Sequence, residues 1–188
     1  MDIAEVARDT GMEAADIRVL AEAGLSVEQI LQLMKDPASA LSWTTTIETS
    51  DNVVVEEDGT AVLAATVHEG RACGWAITKH DGSAFAIRCA RLNLRTDWCW
   101  DHHSVVSHSI QHSVSTTAYG NAAGWRVEPS YEGSSGWVSQ PDRYRTEAKA
   151  DWKLVVPPSN TQVQSGTAFA RHLISARGTV VKDDGGWP

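Results

Sequence analysis

Apolar positions recur about every 3.6 residues in the first forty or so residues and every second residue from about residue 52 onward. This change of period divides the chain into a helical beginning and a strand-built remainder. In the beginning, Asp2 can cap a first turn carrying Ile3 and Val6, which Thr10-Gly11 breaks. A second segment places Ile17, Leu20 and Ala21 on one stripe before Gly24 stops it. Ser26 and Gln29 form a capping box for a third, whose apolar face is Val27, Ile30, Leu31 and Met34 and which Pro37 ends. The pattern predicts a three-helix N-terminal unit over residues 1–41, a polar linker over residues 42–51 and a strand domain over residues 52–188.

Within the strand domain, Asp58-Gly59 and Asp81-Gly82 are hairpin signals, the second joining residues 71–79 to residues 83–95. Phe85, Ile87 and Cys89 share one face whereas Leu92, Leu94, Trp98 and Trp100 share the other, so a bulge or bend near Ala90 is expected. Trp98 and Trp100 then pin the core while Cys99 points away. After Asp101-His102-His103 a strand returns over residues 104–117. Residues 120–136 read as a long loop or short strand around Trp125 and Tyr131, because small residues cluster there. The cleanest alternation runs over residues 144–156, with Tyr144, Thr146, Ala148, Ala150, Trp152 and Leu154 against Arg145, Glu147, Lys149, Asp151 and Lys153. Residues 167–175 and 179–182 close the sheet. Seven to nine strands without an intervening helix predict a mainly β protein, an antiparallel β-sandwich, with a closed barrel as the alternative.

Composition narrows the function. With 16 Lys plus Arg against 24 Asp plus Glu, the net charge is −8, and the scattered basic residues argue against nucleic-acid binding. No apolar run reaches the length of a membrane-spanning helix. Residues 104–117 alternate hydroxyls with apolar side chains as a membrane-barrel stem would, but an ordinary sandwich strand has the same pattern, and membrane insertion is not expected. The opening Met1-Asp2-Ile3-Ala4-Glu5 has no secretory-signal pattern, so the chain is expected to be either cytoplasmic or a mature form. Eight Trp against two Phe, in long Ser/Thr-rich strands, favour an extracellular or surface protein.

Three cysteines bear on the compartment. Pairing across Asp81-Gly82 brings Cys73 close to the position facing Cys89, so Cys73 and Cys89 are the expected disulfide for an exported chain, with Cys99 the odd thiol.

Two resemblances follow from short motifs. Ile3-Ala4-Glu5-Val6-Ala7-Arg8-Asp9-Thr10-Gly11, with Ile17-Arg18-Val19-Leu20 and Ala23-Gly24-Leu25, resembles the helix-turn-helix opening of MerR-type regulators. That resemblance implies a DNA-reading head. This second helix offers Glu13, Asp16 and only Arg18, a departure from the basic reading helix such a head needs, and a helical cap or docking element is expected instead. Cys73-Gly74-Trp75, Leu94, Trp98-Cys99-Trp100-Asp101, Val105-Val106, Gly124-Trp125, Gly136-Trp137 and Gly185-Gly186-Trp187 resemble a group of small β proteins exported by actinobacteria. That resemblance implies an extracellular β-sandwich without known enzymatic activity.

Candidate chemistry is sparse. Asp101, His102, His103, His108 and His112 are a pH-sensing or weak metal candidate, although His108 and His112 stand about 13 Å apart on an extended strand and cannot share one ion. His108 and His112 fall in the row of Val106, Ile110 and Val114, so acid is expected to loosen that strand. Ser134-Ser135-Gly136 lacks the setting of a nucleophile elbow, and no cofactor motif is present. Trp125, Tyr131 and Trp137, in the Gly/Ser-rich segment, are the ligand-binding candidates, because flat aromatic faces there can meet a sugar or a partner protein. The expected function is a non-enzymatic extracellular binding or structural module with a protein or glycan partner. The alternatives are a cytoplasmic protein docking through its helices and a small hydrolase.

Overall fold

A computed structural model describes residues 2–56, 70–136, 143–156 and 161–185. The three predicted helices form: α1 (Ile3–Thr10), α2 (Ala14–Glu22) and α3 (Val27–Lys35). Asp2 accepts from the amides of Ala4 and Glu5, Gly11 closes α1 in the left-handed conformation, and the Ser26–Gln29 capping box is complete in both directions. A short 3-10 turn, Pro37–Ala40, leads directly into strand β1 (Leu41–Thr49). The expected linker is therefore a strand. Its threonines are β-branched and its residues alternate, with Leu41, Trp43, Thr45 and Ile47 on the more buried side, a pattern that ladder pairing rewards.

The remaining strands are β2 (Val54–Val55), β3 (Ala72–Ala84), β4 (Ile87–Trp100), β5 (Val105–Thr116), β6 (Trp125–Gly136), β7 (Arg143–Val156), β8 (Thr161–Ser175) and β9 (Thr179–Gly185), with a short helix α4 (Ala118–Ala122) between β5 and β6. They make two sheets, β1-β3-β4-β5 and β2-β9-β8-β7-β6, antiparallel except where β2 runs parallel to β9. The mainly β, antiparallel sandwich with N-terminal helices is thus the fold.

The β3–β4 hairpin turns at Phe85-Ala86, not at Asp81-Gly82. Phe85 and Ala86 take φ of 50° and 63°, the two consecutive positive values of a type I′ turn. Asp81 and Gly82 stay in the ladder opposite Arg91 and Ala90. Arg91 forms a forked ion pair with Asp81 at 2.6 Å, and Gly82 leaves room for the Trp43 ring, which a Cβ there would meet at 2.1 Å. The expected bulge is present. Gly82 faces Ala90 while Ser83 faces Arg88, so Cys89 is the extra residue and the apolar side changes there.

Moving the turn moves the disulfide. Cys73 faces Cys99 and is bonded to it, while Cys89 is buried and free, so the expected Cys73–Cys89 bridge is wrong. The loop shift and the extra residue at the bulge together carry Cys89 far from the rung of Cys73. Cys99 does point away from Trp98 and Trp100, which are 2 % exposed.

Alanines let the sheets approach. Ala148 faces Ala170 and Ala150 faces Ala168, all fully buried, with Leu92 and Leu94 of β4 in the same core. Two aromatic groups flank this middle. Trp43, Trp125 and Trp152 pack at centroid distances of 5.3, 5.8 and 5.4 Å near the helical end. Trp98 and Trp100 pack at 5.6 Å toward the other end, with the Trp98 indole N–H donating to the Ser175 carbonyl. The apolar cluster containing Trp125 and Trp152 continues into Val6, Ile17, Leu20, Ile30 and Leu33, so the helices cover one end of the sandwich rather than standing apart.

Candidate functional site

The sequence-predicted aromatic trio is not one surface. Trp125 is fully buried on β6, inside the tryptophan group, and not in a loop. Tyr131 is 46 % exposed on the outer face of the five-stranded sheet. Trp137 lies outside the described residues. Glycine around Trp125 serves close packing: Gly124 takes φ of 87° against the Val155 carbonyl, where a Cβ would sit at 2.0 Å.

The histidines also separate. Asp101 accepts from the amides of Ser104 and His103, which hold its carboxyl below the usual range, and thereby closes the turn. His102 and His103 stand exposed in that turn, His102 at φ 73° with its amide donating to the Ala176 carbonyl. His108 packs on Tyr144 at 5.0 Å, and His112 pairs through Nδ1 with Glu132 of β6, joining the neighbouring edges of the two sheets. The His112 imidazole thus meets a carboxylate rather than an apolar wall. Val106 leaves the row of His108 and His112 for the outside because the register shifts between Cys99 and Trp100, and Val105 takes the inner place. Among the described residues, no group of three or more His, Cys, Asp and Glu is arranged to hold a metal.

A histidine that periodicity did not single out occupies the centre of the sandwich. His172 is fully buried, with Nε2 2.8 Å from Thr78 Oγ1 and Nδ1 2.9 Å from Thr96 Oγ1, and Thr96 in turn lies 2.7 Å from Thr146 Oγ1. Burial among hydroxyls that carry no charge holds its imidazole down to about 4, so it is neutral at physiological pH. This chain of four side chains satisfies itself across both sheets and is sealed from solvent. It organises the core and offers no reacting group to a substrate.

The outer face of the four-stranded sheet is different in kind. Trp75 of β3 is half-buried and turned outward, directly opposite Asp97. The Arg95 guanidinium lies 5.3 Å from the Trp75 ring centroid and forks onto Asp97 at 2.8 and 2.7 Å. Ser50 pins the backbone of Trp75 from both sides: its hydroxyl accepts the Trp75 amide at 3.1 Å, and its own amide donates to the Trp75 carbonyl at 3.1 Å. The Cys73–Cys99 bridge staples the next rung, and Asn52 donates to the Cys73 carbonyl. Beside them, β5 presents Ser107 and Ser109. Trp75, Asp97, the two bridged cysteines, Ser107 and Ser109 line a depression of about 510 Å³. The sequence signal was there, in Trp75 two residues after Cys73 and Asp97 two before Cys99, but only the register puts the four on adjacent rungs.

The other sheet also carries a depression, about 460 Å³, among Arg126, Glu128, Asp151, Lys153 and Thr167. Its only tryptophan, Trp152, is 2 % exposed, so it offers long charged side chains and no aromatic platform. Farther along that face Tyr131, Lys149 and Phe169 share one rung, with Lys149 over the Tyr131 ring at 5.2 Å and Arg171 over Phe169 at 3.9 Å. Glu147 sits in the next rung. Its burial raises the carboxyl, but the hydrogen bond from Arg171 and the charges of Arg171, Arg145 and Lys149 together hold it below the usual range. Among the described residues no helix is long and apolar enough to cross a membrane. Comparison with family models, with curated proteins and with solved structures found no match for this chain.

Proposed function

We propose that this protein is a non-enzymatic binding module that works outside the reducing cytosol and holds a hydroxyl-rich ligand, a glycan, on the outer face of its four-stranded sheet. The observation that carries the reading is Trp75 with its carboxylate neighbour. A flat indole, partly open to solvent, stands next to the Asp97 carboxylate, and Arg95 holds both in place. Sugars present apolar ring faces edged by hydroxyls, so an aromatic plane beside oriented acceptors and hydroxyl donors is the complement they need. The disulfide and the Ser50 contacts support it further, because a site fixed before binding loses less entropy on binding. A bridge between the exposed Cys73 and the half-buried Cys99 favours an oxidising compartment.

Calorimetric titration with soluble cello-, chito-, xylo- and mannooligosaccharides tests this. Binding to at least one series, abolished by Trp75→Ala with the far-UV spectrum unchanged, is expected. No binding to any of the four, or binding indifferent to Trp75→Ala, defeats the proposal.

A second reading, a protein partner on the five-stranded sheet, is favoured by the exposed Tyr131 in its rung with Lys149 and Phe169, since Tyr and Arg dominate protein hot spots. Ligand binding lost on Tyr131→Ala and kept on Trp75→Ala would move the site to that face.

A further inference from the structure

A second depression, about 350 Å³, adjoins the Trp75 depression on the same outer face, lined by Ile77, Asn93, Gln111 and Ser113 among others. The two share a boundary. Arg95 lines one, Asp97 lines the other, and the Arg95–Asp97 fork spans them. Along β3 the outward residues run from Cys73 to Lys79, and along β5 from Ser107 to Ser113, six residue steps in each case, so the combined trough is about 20 Å long in the strand direction. A single ring at Trp75 would leave the second depression empty. The polar groups there are of the same type: Asn93 donates to the Ser113 hydroxyl at 2.9 Å and keeps its amide oxygen for a donor, and Gln111 stands exposed beside it.

Charge sets the class of ligand. Three cations along the outward rows of β3 and β4 are closed onto carboxylates of this face, Arg91 with Asp81, Arg95 with Asp97, and Lys79 with Glu48, while Arg71, just before β3, donates to Ser107 and Arg88 is exposed past the bulge of β4. Between those two arginines the trough is therefore locally neutral on a protein of net charge −8. A neutral chain crosses it without repulsion. An acidic polymer finds no uncommitted row of cations to neutralise it.

We infer that the ligand is a linear, neutral oligosaccharide lying along β3, β4 and β5, with one unit on Trp75 and further units in the subsite of Asn93 and Gln111. This rests on the reading that Trp75 holds a sugar. The subsite of Asn93 and Gln111 acts as an extension that measures chain length, since two or three added hydrogen bonds between polar groups raise affinity by about tenfold.

The test is titration of the full chain with the binding series from monomer to hexamer, for the wild type, Trp75→Ala and the double variant Asn93→Ala/Gln111→Ala. The expected result is affinity rising about tenfold from dimer to hexamer in the wild type and staying flat in the double variant. Equal affinity for dimer and hexamer in the wild type, with binding still abolished by Trp75→Ala, overturns the extended subsite and leaves the Trp75 site standing. A length dependence that survives the double variant overturns the assignment to Asn93 and Gln111. Binding untouched by Trp75→Ala removes both the subsite and the site it extends. Unfolding curves for each variant separate loss of binding from loss of fold.

Discussion

Cys73 faces Cys99 across the β3–β4 ladder and is bonded to it, while Cys89, three residues past the hairpin turn, stays a buried thiol. Closing the loop between residues 73 and 99 constrains the unfolded chain, so Cys73→Ser/Cys99→Ser is expected to lower stability by about 2–4 kcal/mol in urea titration. Burial pushes the Cys89 thiol up to about 12, so it should resist alkylation at pH 8 until the protein is unfolded. Peptide mapping that joins Cys73 to Cys89, or rapid labelling of native Cys89, would contradict this arrangement.

His172 makes stability depend on acid. Its ordinary value of 6.5 falls to about 4 in the fold, so the unfolded chain takes up the proton first. The stabilisation is full above about pH 6.5, declines as the pH falls from there, and is exhausted near pH 4, amounting to about 3 kcal/mol. Chemical denaturation at a series of pH values measures the slope, and His172→Gln, which keeps two polar ends for Thr78 and Thr96, should flatten it. An unchanged slope in that variant would place the acid sensitivity elsewhere.

Two glycines with positive φ should behave differently. At Gly24, φ is 95° but a Cβ meets open space, so Gly24→Ala costs only backbone strain, about 1 kcal/mol. At Gly124 the added Cβ would lie 2.0 Å from the Val155 carbonyl, whose own amide donates to the Gly124 carbonyl at 3.0 Å. Neither backbone can yield alone. Gly124→Ala is expected to cost more than about 2 kcal/mol, and equal melting temperatures for the two variants would refute the close approach.

Trp125 and Tyr131 are six residues apart and differ in role. Trp125→Ala empties the centre of the tryptophan group and is expected to lower stability by about 3–5 kcal/mol. Tyr131→Ala, at 46 % exposure, should change stability by less than about 1 kcal/mol. Thermal unfolding of both variants decides the matter, and similar losses would mean that Tyr131 is part of the packing.

Local chemistry is what the sequence determined by itself. Asp2, Gly11 and the Ser26–Gln29 box close hydrogen bonds within four residues, so the helix ends could be read without knowing what the helices touch. Alternation over residues 144–156 and the change of face near Ala90 depend only on neighbours along one strand, and both are in the fold. The sandwich class and the buried Trp98 and Trp100 follow from the same periodicity.

Pairing between distant segments is what only the tertiary structure decided. Residues 41–49 became β1 because β3 offered them a ladder and Trp43 a place on Gly82. With Gly82 committed to that contact, the turn fell at Phe85-Ala86, and the disulfide partner changed from Cys89 to Cys99. That change of register placed Trp75 beside Asp97 and Arg95. The physical reason is the two-residue repeat of a strand: a single-residue slip exchanges the buried and exposed faces, and nothing within one strand records which partner will set it.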